Sequence, residues 1–382
     1  MASPAKPKLC VISTTPLSVH LFLREHLRGL SEFFDIILLV NSQVDFYVPP
    51  LDIPVDMRQV SIERAIKPLS DLRTLRELYG FFRKERVDIV WAVGPKAGLL
   101  AMTAGFAARV SKRIFIFQGE VWASKRGIWR WILRQMDSVT ARCATHLIAV
   151  SKSERDFLDA EGVVSASRVK VLGAGSICGV DLLRFHPDAE LRAQLRAEAC
   201  VPENALVMLF VGRLNLDKGV LELAQAFRIA AESRPHLWLI VVGPDEGGVI
   251  PELTRLVGAS FVRCRIFGFC TRIERYVCAA DFLCLPSYRE GFPIVVLEAA
   301  ASGIATIGFD TYGMTDAIER DATGLLVRMG DVRDLAAAIC RICDDAELRE
   351  RLGRAARARA VSHFEQARVV ERYVEFFRNG LD

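Results

Sequence analysis

The chain has 382 residues, 51 % of them hydrophobic and 25 % charged, with a formal net charge of +4. That length exceeds one ordinary α/β domain and suits two of roughly 150–200 residues, and the composition excludes a disordered chain. The longest apolar runs, such as Ile36–Val40 and Leu206–Val211, are strand-length and fall far short of the roughly 20 residues of a membrane span.

The residues before the first predicted strand carry lysines and no apolar run, so no signal peptide is expected. The ten cysteines are scattered through predicted elements and read as reduced thiols, so a cytoplasmic location is expected. Charge is unevenly placed. Residues 1–180 carry 25 Lys and Arg against 17 Asp and Glu, whereas residues 181–382 carry 25 against 29. Arg58–Arg142 alone holds 17 basic and 7 acidic residues. Such a half meets nucleic acid, an anionic membrane or a phosphorylated substrate. With no recognised nucleic-acid module in the chain, the last two rank higher.

Along the first half, strands are predicted at Leu9–Thr14, Asp35–Val40, Asp88–Ala92, Arg113–Phe117, His146–Val150 and Val169–Leu172. Helical stretches such as Leu21–Leu30 and Asp71–Lys84 lie between them. Ser13-Thr14-Thr15 follows the first strand and offers hydroxyls and backbone N–H groups, without the usual turn glycines. In Gly94-Pro95-Lys96-Ala97-Gly98, Lys96 at a helix start suits a phosphorylated acceptor, or equally a solvated loop. Residues 124–142 form a predicted helix. At 100° per residue, Ile128, Ile132, Met136 and Val139 share one face, and Arg126, Arg130 and Arg134 form a stripe bordered by Trp129 and Leu133. Arg126, Trp129, Arg130 and Arg134 suit an anionic membrane surface; the alternative is a solvated basic helix with its tryptophans packed inside.

The second half repeats the pattern at Val207–Val211, Leu237–Val242, Arg263–Phe267, Phe282–Leu285 and Ala305–Ile307. Strand–helix alternation predicts parallel sheets with right-handed crossovers. The expected architecture is two doubly wound Rossmann-like domains, residues 1–180 and 181–362, joined near Gly179–Pro187. Ligands are expected in an interdomain cleft at the carboxyl ends of strands. Residues 363–382 close the chain with an amphipathic helix over Phe364–Asn379, where Val369, Val370, Tyr373, Phe376 and Phe377 fall at helical spacing.

Two stretches of this half carry chemistry. In Phe210–Val220, FVGRLNLDKGV, a strand ends at Gly212, and the following loop carries Arg213 and Lys218. Both suit a diphosphate, Arg as a rigid fork and Lys as a point charge; alone, they read equally as solvated cations. In Leu285–Ala300, LPSYREGFPIVVLEAA, a loop with Glu290 and Gly291 leads to Pro293, suited to the first turn of a helix that contains Glu298. Free N–H groups and a positive helix end make this loop a natural phosphate site. Glu290 can accept from sugar hydroxyls and Glu298 from ribose hydroxyls. Alternatively, they complement a helix dipole and a solvated face.

Taken together, Gly212-Arg213…Lys218-Gly219 and Glu290-Gly291-Phe292-Pro293…Glu298, with seven residues between the glutamates, resemble the retaining family-4 glycosyltransferases of the GT-B fold. Gly179-Val180-Asp181 and Gly324-Leu325-Leu326-Val327 extend the resemblance over essentially the whole chain. It implies that Arg213 and Lys218 clamp the donor diphosphate. Glu290 and its loop, Gly291 to Ile294, hold the transferred sugar, and Glu298 holds the ribose. Gly268-Phe269 lies by the base, and the last helix crosses back to the first domain. It also implies a nucleotide-sugar donor and front-face attack assisted by the departing phosphate. No Asp-x-Asp pair occurs in the chain, so no metal and no other cofactor is expected.

Where many members of that family carry a His near the reacting sugar, this chain has Gln118, which cannot act as a base. Glu120 is then the nearest ionisable candidate to assist the acceptor hydroxyl, the alternative being the leaving phosphate alone. Arg64…Lys67-Pro68…Asp71-Leu72, Gly94–Gly98 and Ser176…Gly179-Val180-Asp181 look like the bacterial capsule and O-antigen subgroup. That subgroup extends sugars on a polyprenyl-diphosphate carrier at the inner face of the membrane. By analogy the donor is a uridine-diphosphate sugar, an N-acetylhexosamine among the candidates. The alternatives are a small soluble acceptor or a non-catalytic nucleotide-sugar-binding protein. Cys340-Arg341-Ile342-Cys343 lacks a second cysteine pair and reads as part of an ordinary helix.

Overall fold

The computed structural model describes residues 6–41, 51–63 and 65–381; Arg64 lies outside the described residues. The chain divides into two compact units, Met1–Cys178 with Ala367–Asp382, and Gly179–Gln366.

The first unit is built on seven strands: β1 Lys8–Ser13, β2 Asp35–Val40, β3 Asp56–Gln59, β4 Ile89–Val93, β5 Lys112–Phe117, β6 His146–Ala149 and β7 Val169–Lys170. They are parallel, in the order β3-β2-β1-β4-β5-β6-β7. β4 is buried at every position, as a strand covered on both faces must be. That is why its sequence is a continuous apolar run rather than an alternation. β3 has no such run. Its sequence DMRQ is almost wholly exposed, and only its edge pairing with Ile37–Val40 makes it a strand. The helices used below are α1 Arg24–Ser31, α2 Pro68–Glu85, α3 Pro95–Ala107, α4 Gly127–Cys143 and α5 Lys152–Ala160. A π-helical turn, Val19–Leu23, precedes α1, where one continuous helix is the sequence expectation. The core gathers Val90, Ala92, Phe115, Phe82, Trp122 and Leu147.

The second unit carries β8 Leu206–Val211, β9 Leu237–Val242, β10 Cys264–Phe267, β11 Phe282–Leu285, β12 Ala305–Phe309 and β13 Gly324–Val327. These too are parallel, in the order β10-β9-β8-β11-β12-β13. Its helices include α6 Val220–Glu232 and α7 Ile294–Ala301. Asp281 accepts from Arg192 (2.6 Å), Arg196 (2.7 Å) and the Val207 backbone N–H (2.6 Å), which pins the starts of β8 and β11 together. The first and last segments of the unit lie side by side: Val180 N–H donates to Phe364 (2.8 Å), and Gln366 N–H to Val180 (2.9 Å).

The last helix, α8 Gln366–Asn379, buries Val369, Tyr373, Phe376 and Phe377. Beyond Gln366 it belongs to the first unit. Phe377 packs on Trp91 with ring centroids 4.9 Å apart, and Tyr373 meets His26 edge-on at 4.8 Å. Each such side chain contributes roughly 1.5–3 kcal/mol by burial. Burial also lowers the His26 pKa to about 4, so that imidazole is neutral.

In both sheets the winding direction reverses beside the first strand. In the second unit that point lies between β8 and β11, and the crevice beyond their carboxyl ends is the expected ligand position.

Candidate functional site

The two motif loops leave adjacent strands. Met208 pairs with Phe282 and Leu209 with Leu283, so Arg213 and Glu290 emerge at the same edge. The Asn215 side chain caps a short 3-10 turn by accepting from Lys218 N–H (3.2 Å). Gly219 then turns left-handed at φ 66° to open α6. A Cβ there would fall 1.9 Å from the Pro286 carbonyl, so only glycine lets Lys218 approach the second loop. Further ties join the loops. Tyr288 N–H donates to Asp217 O (2.9 Å), the Arg289 guanidinium reaches the Asp217 carboxylate (3.1 Å), and Tyr288 OH donates to Glu222 (2.8 Å). Gly313 supports the loop from below; its Cβ would come within 2.3 Å of the Glu290 carbonyl.

These ties bring the charged groups together. Lys218 Nζ lies 2.5 Å from Glu290 Oε1, and both side chains are largely shielded from solvent. Arg213 stands more open and reaches Glu246 at 2.9 Å, an exposed pair of small energetic weight. Pro293 occupies the N-cap of α7 (φ −74°, ψ 106°) rather than its first turn, and no side chain caps that helix. Val296 N–H donates to the Pro293 carbonyl (3.1 Å), and the helix start otherwise keeps its affinity for an anion. Phe292, expected among the donor-binding residues, is buried against Phe364 with centroids 5.2 Å apart. It supports the loop from behind. Gly291 is buried and Ile294 half-buried.

Glu298 is half-buried on α7. Desolvation raises its carboxyl pKa to about 7, with Arg184 lowering and Glu274 raising it. Arg184 itself pairs with Glu274 at 2.7 Å. Gly268 and Phe269 follow β10, both exposed. β10 lies two strands from β8, about 10 Å away at ordinary strand spacing. Glu246, Asp217, Glu222, Arg184 and Glu274 carry no motif signal in the sequence. Strand order alone brings them to this edge.

In the first unit the expected acceptor residues fare unevenly. Ser13 is buried and its hydroxyl donates to Thr15 O (3.4 Å), leaving Thr14 half-buried beside it. Lys96 is not a free loop cation. Its ammonium pairs with Asp71 at 2.7 Å and donates to the Ala65 carbonyl, joining the starts of α2 and α3. Gln118, just past β5, has an amide nitrogen that is buried without a hydrogen-bond acceptor. Glu120, on the same loop, is buried.

The helical wheel of α4 also needs correction. Its buried positions are Asp137, Ser138, Thr140 and Ala141, not the isoleucine–methionine face. Arg130 pairs with Glu161 (2.6 Å) and lies over the Trp122 ring at 5.1 Å, and Arg134 reaches Glu161 at 3.6 Å. The arginine stripe is thus turned inward at two of three positions, with Arg126 exposed at the N-cap. Ile128, Trp129 and Trp131 stand out instead, 63, 59 and 56 % exposed.

Among the described residues, no group of three or more His, Cys, Asp or Glu side chains is placed to hold a metal ion, and no helix is long and apolar enough to cross a membrane. Cys340 and Cys343 share one helix. Burial raises both thiols, Cys343 to about 12, which makes them poor nucleophiles.

Residues 19–175 match the family model described as a glycosyl transferase 4-like domain, and residues 192–359 match that of glycosyl transferases group 1. The chain is 27 % identical over 84 % of its length to the capsular polysaccharide biosynthesis glycosyltransferase CapM of Staphylococcus aureus, covering 84 % of that protein. It is 26 % identical over 83 % of its length to an Escherichia coli UDP-Gal:α-D-GlcNAc-diphosphoundecaprenol α-1,3-galactosyltransferase, covering 82 % of it. Among solved structures, Anabaena HepE in complex with UDP and glucose superposes with a TM-score of 0.78 at 18 % identity, over 98 % of this chain and all of that one.

Proposed function

The chain belongs to the glycosyltransferases of the GT-B fold that join a 4-like domain to a group 1 domain. From that premise we propose that it moves a sugar, with retention, from a uridine-diphosphate sugar to a saccharide on a polyprenyl diphosphate. Such a step serves capsule or O-antigen synthesis at the inner face of the cell membrane. The acceptor class rests on the relatives named for capsule synthesis and for a diphosphoundecaprenol-linked sugar; the uridine rests on the ligand of the solved neighbour.

The observation that carries the chemistry is the Lys218–Glu290 pair at 2.5 Å, joining the loop that holds Arg213 to the loop that leads into α7, a helix no side chain caps. In this reading the donor diphosphate takes Lys218 and Arg213 from Glu290 and Glu246. Glu290 is then free to accept from hydroxyls of the transferred sugar. Glu298 accepts from the ribose, and Gly268 and Phe269 flank the base. The anomeric C–O bond to phosphate breaks while the acceptor oxygen bonds the same face. The acceptor proton passes to the departing phosphate oxygen. Negative charge grows on the diphosphate, where Arg213, Lys218 and the α7 N–H groups stand ready. With those cations in place and no Asp-x-Asp pair in the chain, a divalent ion is not required.

On the acceptor side, Thr14 and Gln118 remain as contacts. Ile128, Trp129 and Trp131, with Arg126, give the first unit an interfacial edge suited to anionic lipid. Arg213→Ala and Lys218→Ala are each expected to lower kcat by about 10²–10³, the scale for removing a charge partner of the transition state. Turnover of UDP-sugar with a lipid-linked acceptor is the assay. Near wild-type kcat in both variants contradicts the clamp.

A further inference from the structure

Ser151-Lys152-Ser153-Glu154 reads in the sequence as a capping box, in which the glutamate folds back on its own helix start. Half of that holds: Ser151 caps α5 by accepting from Glu154 N–H at 3.2 Å. The Glu154 carboxylate does more. Oε2 accepts from Val150 N–H at 2.9 Å, while Oε1 leaves the helix and accepts from the backbone N–H of Gly119. Glu154 is fully buried. A buried carboxylate is a costly way to cap a helix end, and a neutral glutamine would cap it as well.

The loop it holds is the one beyond β5. Gly119 turns there at φ 91°, flanked by Gln118 and Glu120. α5 grips the same loop a second time, one turn further on. Phe157 stacks on Trp122 with centroids 5.3 Å apart at 16°, and the Trp122 indole N–H donates to Asp137 on α4 (2.7 Å). β5 and β6 are neighbours in the sheet, so the grip lies at the carboxyl edge where ligands of such folds bind. The buried, unpartnered amide nitrogen of Gln118 stands next to the gripped peptide, as expected of a group awaiting a ligand.

We propose that Glu154 is a positioning residue for the acceptor: by holding the Gly119 N–H it sets where Gln118 meets the acceptor saccharide. This rests on reading the first unit as the acceptor side. The donor groups all belong to the other unit, so the two functions should separate.

The test uses full-length Glu154→Gln, Glu154→Ala and Ser151→Ala. Ser151→Ala removes only the helix cap and controls for local stability. UDP affinity by calorimetry should stay within about twofold of wild type in all three. Acceptor kcat/KM should fall about 100-fold in Glu154→Ala, the scale for a misplacement of about 1 Å. It should fall less in Glu154→Gln and change little in Ser151→Ala. Hydrogen exchange reads the clamp without turnover, and amides 118–122 should exchange faster in Glu154→Ala with α5 unchanged. An unaltered loop, or equal losses in Ser151→Ala and Glu154→Ala, overturns the proposal. A wild-type enzyme inactive on every lipid-linked acceptor, with the loop effect intact, counts against the functional reading instead.

Discussion

At the scale of single residues, the site is a set of charges held in mutual check. Lys218 and Glu290 neutralise one another before substrate arrives, and Arg213 leans on Glu246. Glu298 is different, because its cost falls on the protein itself. Its pKa near 7 lies above the ordinary 4.5, chiefly through desolvation. A carboxyl with a raised folded-state pKa contributes stability in its protonated form, in full below the unfolded value, and loses it as pH rises through 7. Glu298→Gln should therefore leave Tm nearly unchanged at pH 4.5 and raise it at pH 8. It should weaken UDP binding at pH 8, where the wild-type carboxylate is the better acceptor for ribose hydroxyls. Thermal melts and calorimetry at the two pH values check this. A variant no more stable at pH 8, or one that binds UDP as tightly, contradicts the assignment. The motif residues themselves were legible in the sequence through spacing. Their partners Glu246, Asp217, Glu222 and Arg184 were not, because residues tens of positions apart meet only through strand order.

At the scale of elements, the buried strands were readable as apolar runs. The edge strand β3 was not, since exposed DMRQ carries no hydrophobic period. Helix α4 misleads for a related reason. A wheel assumes that the apolar face packs, yet here Asp137 is turned inward to take the Trp122 indole N–H. The isoleucine and tryptophans at the helix start are left outside. Lipid binding should follow those side chains more than the arginines. Trp129→Ala with Trp131→Ala removes two aromatic side chains, each worth roughly 1.5 kcal/mol or more when buried. Binding to anionic vesicles should fall about 100-fold. Arg130→Ala with Arg134→Ala should cost less, because both cations are already held by Glu161. Co-sedimentation decides. Equal losses in the two double variants, or none in the tryptophan pair, leave α4 without a lipid role.

At the scale of the whole molecule, two doubly wound sheets follow from the strand–helix alternation. Each presents loops at the carboxyl ends of its strands, and the proposed function takes its donor groups from the second unit and its acceptor contacts from the first. The strand–helix alternation and the drop from a basic first half to an acidic second half were legible in the sequence. The sugar, the linkage and the depth of Glu120 were not, since they depend on how loops close around groups without a sequence period. The most direct measurement is transfer by the purified chain from a panel of UDP-sugars to a polyprenyl-diphosphate-linked saccharide in the presence of EDTA. The anomeric configuration of the product is read by NMR. The expected result is turnover without added metal and an α-linkage from an α-configured donor. Inversion at the anomeric carbon, activity only after Mg²⁺ or Mn²⁺ is restored, or transfer only to a soluble acceptor would contradict it.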